Sequence, residues 1–463
     1  MKRFRAKVKR RPSQAKVRRS QPAKELPRIK RPLKRLFWVL LLFSVGCTAP
    51  AVHDHPTDSL HFPIGVVADP AGDFLYINNT NFDLAYETGT VVALDLNTHR
   101  LVSESVARVP GFGGEMVVHS VPGQGTHLYL PTRDQNALVW IQVSRDPDSN
   151  SPRLSCNSSA ANAEEAQNCS GENVLVLSDA VTAAADYGSA WDENEKEDSN
   201  GLNPGSAFQA CEGGGPAGKE PFGATVSGRA GEVANLYVGS FGGNLSVFRL
   251  SEQGAPYFSK DVDMVIGTYG VAVHPQVEQV YTTTKFANVL QSVSVSDQGS
   301  SFVPDLNVEK SIVVTNATLG KDFGRGIAFN AAGTRAYVAY RSPPSLLIVD
   351  TSLDENGKPA NRVLNSVVVG NNPADVVVSP SGPNGRELVY VSAYSVNQIY
   401  VVDPQLMLVV GVIDTGKGPF SMAVVKNEER FRLYVSLFEE NAIGVVELEW
   451  TSPFYHQEVA RVP

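Results

Sequence analysis

The clearest pattern in the sequence is a short segment with a tyrosine flanked mainly by apolar residues, which recurs seven times. Successive copies lie 44 to 56 residues apart, except that the second interval is 108 residues. Apolar segments rich in valine and isoleucine precede and follow each copy, and polar or glycine-rich turns separate them. The central residues are Tyr76, Tyr129, Tyr237, Tyr281, Tyr337, Tyr390 and Tyr434.

This pattern predicts three short β-strands in every unit. A fourth, outer strand is visible in later units at residues 363–369 and 406–413. Four strands in a unit of about 45 residues are typical of a propeller blade, which must stack against its neighbours to bury both faces. We therefore expect an all-β, seven-bladed β-propeller over residues 62–450. Residues 451–463 are expected to close it by adding the outer strand of the last blade.

The turn and tyrosine pattern resembles the YVTN family of seven-bladed β-propellers. The resemblance is closest at Tyr76-Ile77-Asn78-Asn79, looser at Tyr390-Val391-Ser392-Ala393, and is strengthened by the strand-entry prolines Pro63, Pro221, Pro373 and Pro419. It implies a fold more than a function, because such propellers include lactonases, redox enzymes and binding scaffolds. We expect the seven tyrosines to pack between blades.

The first 46 residues predict a signal peptide. Residues 1–35 carry 16 Lys or Arg and one acid, and residues 36–46 are an apolar run too short to span a bilayer. Ser44-Val45-Gly46-Cys47 resembles the lipobox of bacterial lipoproteins, which implies lipidation of Cys47. Ordinary secretion and an uncleaved anchor are the alternatives. Residues 47–61 then form a tether, and Thr48 favours anchoring in the outer membrane of the cell envelope.

The long second interval contains an insertion at residues 145–220, between blades two and three. It holds three of the four cysteines, Cys156, Cys169 and Cys211. In an oxidising compartment paired cysteines usually form disulfides, so three pairings are open. We favour Cys156–Cys169, the pair nearest in sequence. Val174–Leu177 is a candidate outer strand of blade two, and residues 181–220 are expected to form a surface loop.

Charge excludes one class of partner. Without residues 1–35, the chain keeps 24 of its 40 bases and 47 of its 48 acids. An acidic body would approach nucleic acid against like charge, so we expect no nucleic-acid partner. We also expect a monomer that meets the membrane only through its lipid.

No motif in the sequence specifies a catalytic residue, metal or cofactor. The chain has no Cys-x-x-Cys-His, Gly-x-Ser-x-Gly, His-Glu-x-x-His or phosphate loop. His53, Asp54, His55, Asp58 and His61 could bind a transition metal, and the acidic run 192–198 could bind Ca²⁺. The first cluster lies in the proline-containing tether, where nothing fixes ligand geometry, and we interpret the second as a solvated acidic loop, so we expect no metal and no cofactor.

The remaining candidates are polar residues in loops expected at one mouth of the central channel, where propellers build their sites. They are Arg133, Asp134, Lys285, Arg325, Arg341 and Glu439. The favoured function is a non-catalytic envelope lipoprotein that binds a protein or glycan. The alternative is a YVTN-like lactonase acting on a sugar lactone or related molecule. Two carboxylates converging in the channel would favour the enzyme.

Overall fold

The computed structural model describes residues 55–463, apart from 122–124, 158–159, 161, 178–218, 228–233, 297–304, 314–323 and 381–384. The signal segment, Cys47, Cys211 and the acidic run 192–198 therefore lie outside the described residues. Seven antiparallel sheets follow one another along the chain, each with its strands in sequence order. The protein is a seven-bladed β-propeller, as the repeats predict.

The first four blades are built from consecutive strands of the chain. Blade one contains β1 (Pro63–Ala68), β2 (Phe74–Asn79), β3 (Gly89–Asp95) and β4 (Arg100–Val109). Blade two contains β5 (Val117–Val121), β6 (Gly125–Thr132), β7 (Ala137–Arg145), β8 (Pro152–Ser155) and β9 (Val174–Val176). Blade three contains β10 (Pro221–Ser227), β11 (Asn235–Ser240), β12 (Asn244–Leu250) and β13 (Pro256–Asp263). Blade four contains β14 (Thr268–Val273), β15 (Gln279–Thr284), β16 (Val289–Ser296) and β17 (Asp305–Val313).

The last three blades follow the same plan. Blade five contains β18 (Gly324–Phe329), β19 (Arg335–Arg341), β20 (Pro344–Asp350) and β21 (Arg362–Val368). Blade six contains β22 (Pro373–Val378), β23 (Val389–Ala393), β24 (Gln398–Asp403) and β25 (Leu408–Asp414). Blade seven contains β26 (Pro419–Lys426), β27 (Phe431–Leu437), β28 (Ala442–Glu447) and β29 (Glu458–Val462).

Blade two differs because two short strands share its outer edge. β8 pairs with the carboxyl-terminal half of β7, and β9 pairs with its amino-terminal half. Between them lie a short helix, α1 (Ala163–Gln167), and the disulfide Cys156–Cys169, which confirms the favoured pairing. The first part of the insertion is therefore built into the propeller.

The seven repeated tyrosines form the contacts between blades. Each is at most 1% exposed and packs in a cluster with residues of the following blade. Tyr434 of blade seven packs with Leu75 and Ile77 of blade one, so the ring closes through the same contact that joins its other members. β29, from the end of the chain, is the outer strand of blade seven.

Hydroxyl groups on second strands tie adjacent inner strands together. The Ser392 hydroxyl accepts a hydrogen bond from the backbone N–H of Asp375 in its own blade at 3.0 Å. It donates one to the carbonyl oxygen of Phe420 in the next blade at 2.7 Å. Thr283 makes the same link between the N–H of Gly270 and the carbonyl of Arg325, at 2.9 and 2.6 Å. These bonds hold the inner strands around the channel at fixed relative heights.

A register shift near the start of the inner strand recurs in six blades, as between Pro63 and Val66 or between Pro373 and Val376. Such bulges redirect side chains locally. The strands also approach closely here, since a Cβ on Gly223 would lie 2.1 Å from the carbonyl oxygen of Tyr269. The second and third residues of each inner strand therefore lie around the channel.

Candidate active site in the channel

One end of the channel, here called the mouth, collects loops from all seven blades. The inner strands begin at this end, and the turns between second and third strands also lie there, because Pro63 pairs with Asn79 and Pro373 with Ala393. One structurally equivalent position follows the paired residue of each second strand. It is occupied by Thr80, Arg133, Phe241, Lys285, Arg341, Tyr394 and Phe438. The mouth is therefore mainly aromatic and cationic.

Aromatic rings form a belt around the mouth. Its members are Phe62, Phe82, Phe112, Phe222, Phe241, Tyr269, Tyr394, Phe420 and Phe438. Neighbouring ring centroids lie 4.4 Å apart for Phe222 and Tyr269, 5.0 Å for Phe62 and Phe438, and 5.4 Å for Phe82 and Phe438. Sequence reasoning missed this belt, since its residues come from different blades and no repeat spacing links them.

Three of the six residues predicted at the mouth contact the belt through their cationic groups. The Arg133 guanidinium lies 5.5 Å from the centre of the Phe112 ring, and Lys285 Nζ lies 5.7 Å from that of Phe241. Arg325 is only 2% exposed and lies 4.7 Å from the centre of the Tyr269 ring. Contacts with ring faces favour cations and keep these three side chains near the channel.

The other three predicted residues, Arg341, Asp134 and Glu439, also lie in or next to turns at the mouth. The Arg341 side chain donates from Nε to the carbonyl of Pro373 at 3.0 Å, which links blades five and six. Asp134 and Glu439 are exposed. Asp134 lies beside Gly111, and Glu439 lies beside Gly418.

Two carboxyl groups lie deeper in the channel, and the sequence analysis did not single them out. Glu115 comes just before β5, and Asp375 is in β22. Each is the third residue from the start of its blade's inner segment, so it lies roughly 7 Å below the first residue at about 3.3 Å per residue. The other blades have Gly65, Gly223, Gly270, Gly326 and Ser421 at this level.

The two carboxyl groups interact electrostatically although they come from blades two and six. Burial raises the pKa of both groups, and the charge of Asp375 raises the pKa of Glu115 further. Both residues keep partial solvent contact, because they face the channel while protein surrounds them. A cluster of this kind, with raised carboxyl pKa values, is typical of functional sites.

The surroundings of the two carboxyl groups differ. Asp375 accepts hydrogen bonds from the backbone N–H groups of Val376 at 2.7 Å and Met422 at 2.9 Å, and both bonds favour its ionised form. Among the described residues, no group donates a hydrogen bond to the Glu115 carboxyl. The pair therefore holds its negative charge on Asp375 in preference to Glu115, with Glu115 the more readily protonated.

A signal for this pair is present in the sequence once the blades are aligned on their tyrosines. Four of the seven equivalent positions are glycine and one is serine, so the two acids stand out. Equivalent positions in a ring converge on its axis, which makes two acids among small residues candidates for one site. The tyrosine spacing supplies that alignment, but ring closure is needed to bring blades two and six together.

His55 and His61 belong to the candidate metal cluster of the tether, and each contacts a nearby group of the protein. His61 Nε2 lies 2.8 Å from Asp83, and His55 Nδ1 lies 2.7 Å from the carbonyl of Pro56. In the described part of the chain, no three His, Cys, Asp or Glu residues are grouped to hold a metal ion. Over the same residues, no helix is long and apolar enough to cross a membrane. His53 and Asp54 lie outside the described residues.

Comparison with known proteins supports the fold class. No family model and no curated protein matches the chain. Among solved structures, a candidate 6-phosphogluconolactonase from Bacteroides uniformis has a TM-score of 0.52 at 13% identity, covering 80% of this chain and 88% of that one. The periplasmic gluconolactonase PpgL of Pseudomonas aeruginosa has a TM-score of 0.52 at 14% identity, covering 81% and 88%.

A third similar structure is an enzyme of different chemistry. The hydrazine synthase of Kuenenia stuttgartiensis has a TM-score of 0.50 at 13% identity, and the similarity covers 86% of this chain and 98% of that one. At these identities the likeness shows the fold alone. The chemistry of a propeller depends on the side chains in its own channel.

Proposed function

We propose that the protein is a lactone hydrolase whose reaction takes place between Glu115 and Asp375. The observation that carries this proposal is the meeting of two carboxyl groups with raised pKa values in one channel. Paired carboxyl groups in different surroundings can serve as acid and base, because their proton affinities are separated. The likeness in fold to gluconolactonase structures supports the same choice over a purely binding role.

In this reaction Asp375 is the general base. Its carboxylate is oriented by the N–H groups of Val376 and Met422 and takes a proton from the attacking water. The water oxygen bonds to the lactone carbonyl carbon, and the carbon–oxygen bond of the ring then breaks. Glu115, in its protonated form, donates a proton to the departing ring oxygen. The product is a hydroxy acid, and transfer of one proton from Asp375 to Glu115 restores the starting state.

The cations of the mouth assist by attracting the charge that develops. A lactone is neutral, whereas its tetrahedral intermediate and hydroxy-acid product are anionic. Arg325 and Arg133 lie near the aromatic rings through which a substrate must pass. Low-dielectric surroundings strengthen their attraction for an anion.

A panel of γ- and δ-lactones tests the proposal, with hydrolysis followed by proton release. We expect turnover by the wild-type protein and a loss of at least 100-fold in kcat for Asp375→Asn and for Glu115→Gln. The Asp148→Asn variant is the matched control, since Asp148 is exposed in the turn between β7 and β8, at the end of the blade away from the mouth. Full activity of both channel variants would exclude the mechanism.

We further propose that the chain is exported and lipidated at Cys47 in the cell envelope. The Cys156–Cys169 disulfide supports an oxidising compartment, because such bonds are rare in reducing ones. Mass spectrometry of the mature protein should find an acylated N-terminal cysteine. An unmodified N-terminus at Cys47 or Thr48 would reject lipidation and leave export in place.

A further inference from the structure

The distribution of side chains around the mouth is uneven. Five members of the aromatic belt come from three consecutive blades and form what we call the aromatic sector: Tyr394, Phe420, Phe438, Phe62 and Phe82. Blades four and five instead bring Lys285, Arg325 and Arg341 to the mouth. Among the described residues, a ligand in the mouth therefore meets rings without cations over them on one side and, on the other, cations that lie over the belt rings Phe241 and Tyr269.

The aromatic sector is open to a ligand. Phe82 is 41% exposed, and the other four rings are only partly buried although each contacts another ring of the sector. Ring centroids from 5.0 to 6.4 Å apart make this a continuous apolar surface. Soluble proteins seldom expose a contiguous apolar patch without using it for binding.

Polar groups of blade one near these rings are already engaged inside the protein. The Thr80 hydroxyl donates to the carbonyl of Phe62 at 3.2 Å. The Asn81 amide donates to the carbonyl of Tyr86 at 2.7 Å and accepts its N–H at 3.1 Å. A polyhydroxy ring lying against these groups of blade one would find few partners for its hydroxyl groups, and burying unpaired hydroxyls costs free energy.

We infer that the substrate is an amphipathic lactone, with a hydrocarbon chain on the aromatic sector and its lactone ring directed to the carboxyl pair. This inference rests on the proposed hydrolase function and specifies its substrate class. The hydrocarbon chain covers the exposed rings, and the lactone carbonyl lies on the side of the channel that holds the cations. A free sugar lactone matches only the cationic side.

The test uses the full chain as the enzyme and compares three lactones as substrates. They are δ-undecalactone, which carries a hexyl tail, δ-valerolactone, which has none, and glucono-δ-lactone. Each buried methylene contributes roughly fourfold in affinity. We therefore expect kcat/KM for δ-undecalactone to exceed that for δ-valerolactone by at least tenfold, chiefly through KM. A ratio near one, or a preference for glucono-δ-lactone, would overturn the inference while leaving lactone hydrolysis in place.

Variants of the aromatic sector then locate the tail. Phe82→Ser removes an exposed ring with little risk to folding, and Phe82→Ser with Phe438→Ala removes two contacting rings. Both should lower the ratio of kcat/KM between the tailed and tailless lactones, the double variant by at least fivefold. Phe454→Ala, at an exposed position before β29, is the matched control and should keep the wild-type ratio. An unchanged ratio in the double variant would overturn the assignment.

Binding measurements separate this inference from the proposed reaction. If no lactone is hydrolysed, the hydrolase proposal fails, and calorimetric titration with the same lactones decides the ligand class. Tighter binding of δ-undecalactone than of δ-valerolactone, reduced by Phe82→Ser, would support the aromatic sector as a hydrocarbon site. Equal binding of the two would reject it.

Discussion

Replacing Glu115 with glutamine should make the protein more stable at neutral pH and leave its stability unchanged in mild acid. The wild-type carboxyl is held among protein groups, and its pKa is raised from 4.5 to about 8. In the unfolded chain the same group ionises near its ordinary pKa. Glutamine has nearly the same shape and no charge. At neutral pH the wild type must either bind a proton at Glu115 or bury its charge, and the variant avoids the free-energy cost of both.

The sign follows from proton binding. Between pH 4.5 and the folded-state pKa, the folded protein holds a proton on Glu115 that the unfolded chain has lost. Stability therefore falls as pH rises through this window, is highest below it and is constant above it. At about 1.36 kcal/mol for each pKa unit, the full shift corresponds to an upper bound of about 5 kcal/mol. Because Glu115 keeps partial solvent contact in the channel, we expect about 2 kcal/mol at pH 7.5.

Chemical denaturation of both proteins at pH 4 and pH 7.5 measures this difference. Taking the difference between variant and wild type cancels the titrating groups that do not interact with Glu115. Asp375→Asn is the informative comparison, because asparagine has one carbonyl oxygen for the two N–H groups of Val376 and Met422. It should lose about 1–2 kcal/mol at pH 4 from the unpaired N–H. A Glu115→Gln difference independent of pH would refute the reasoning.

Three further predictions concern the pH dependence of the reaction, the disulfide and the last strand. The raised pKa values of Asp375 and Glu115 predict a bell-shaped pH profile of kcat/KM with its maximum near neutral pH, and a maximum below pH 5 would contradict it. Cys156→Ser should lower the free energy of unfolding by about 2–5 kcal/mol in denaturation experiments. Addition of reductant should lower the stability of the wild type by the same amount and leave that of the variant unchanged. Truncation after Leu448 removes β29 and uncovers the edge of β28, so light scattering should detect aggregation, whereas a soluble chain melting like the wild type would disprove this role.

The sequence by itself determined the number and order of the blades. A buried tyrosine in the second strand of every blade is a local requirement, because each blade packs against the next through the same contact. Tyr76 and Tyr434 satisfy it in the first and last blades, so the repeat is readable without knowing the ring. The same logic located Arg133 and Lys285 in the turns of the mouth, since turns follow the strands at fixed offsets.

Only the tertiary structure decided which residues meet at the centre. Glu115 and Asp375 lie in blades two and six, and no spacing along the chain brings them together until the seventh blade packs on the first. The aromatic belt likewise joins rings such as Phe62 and Phe438 from opposite ends of the propeller sequence. Local periodicity specifies each blade, whereas closure of the ring sets the distances across the channel, and the proposed chemistry depends on those distances.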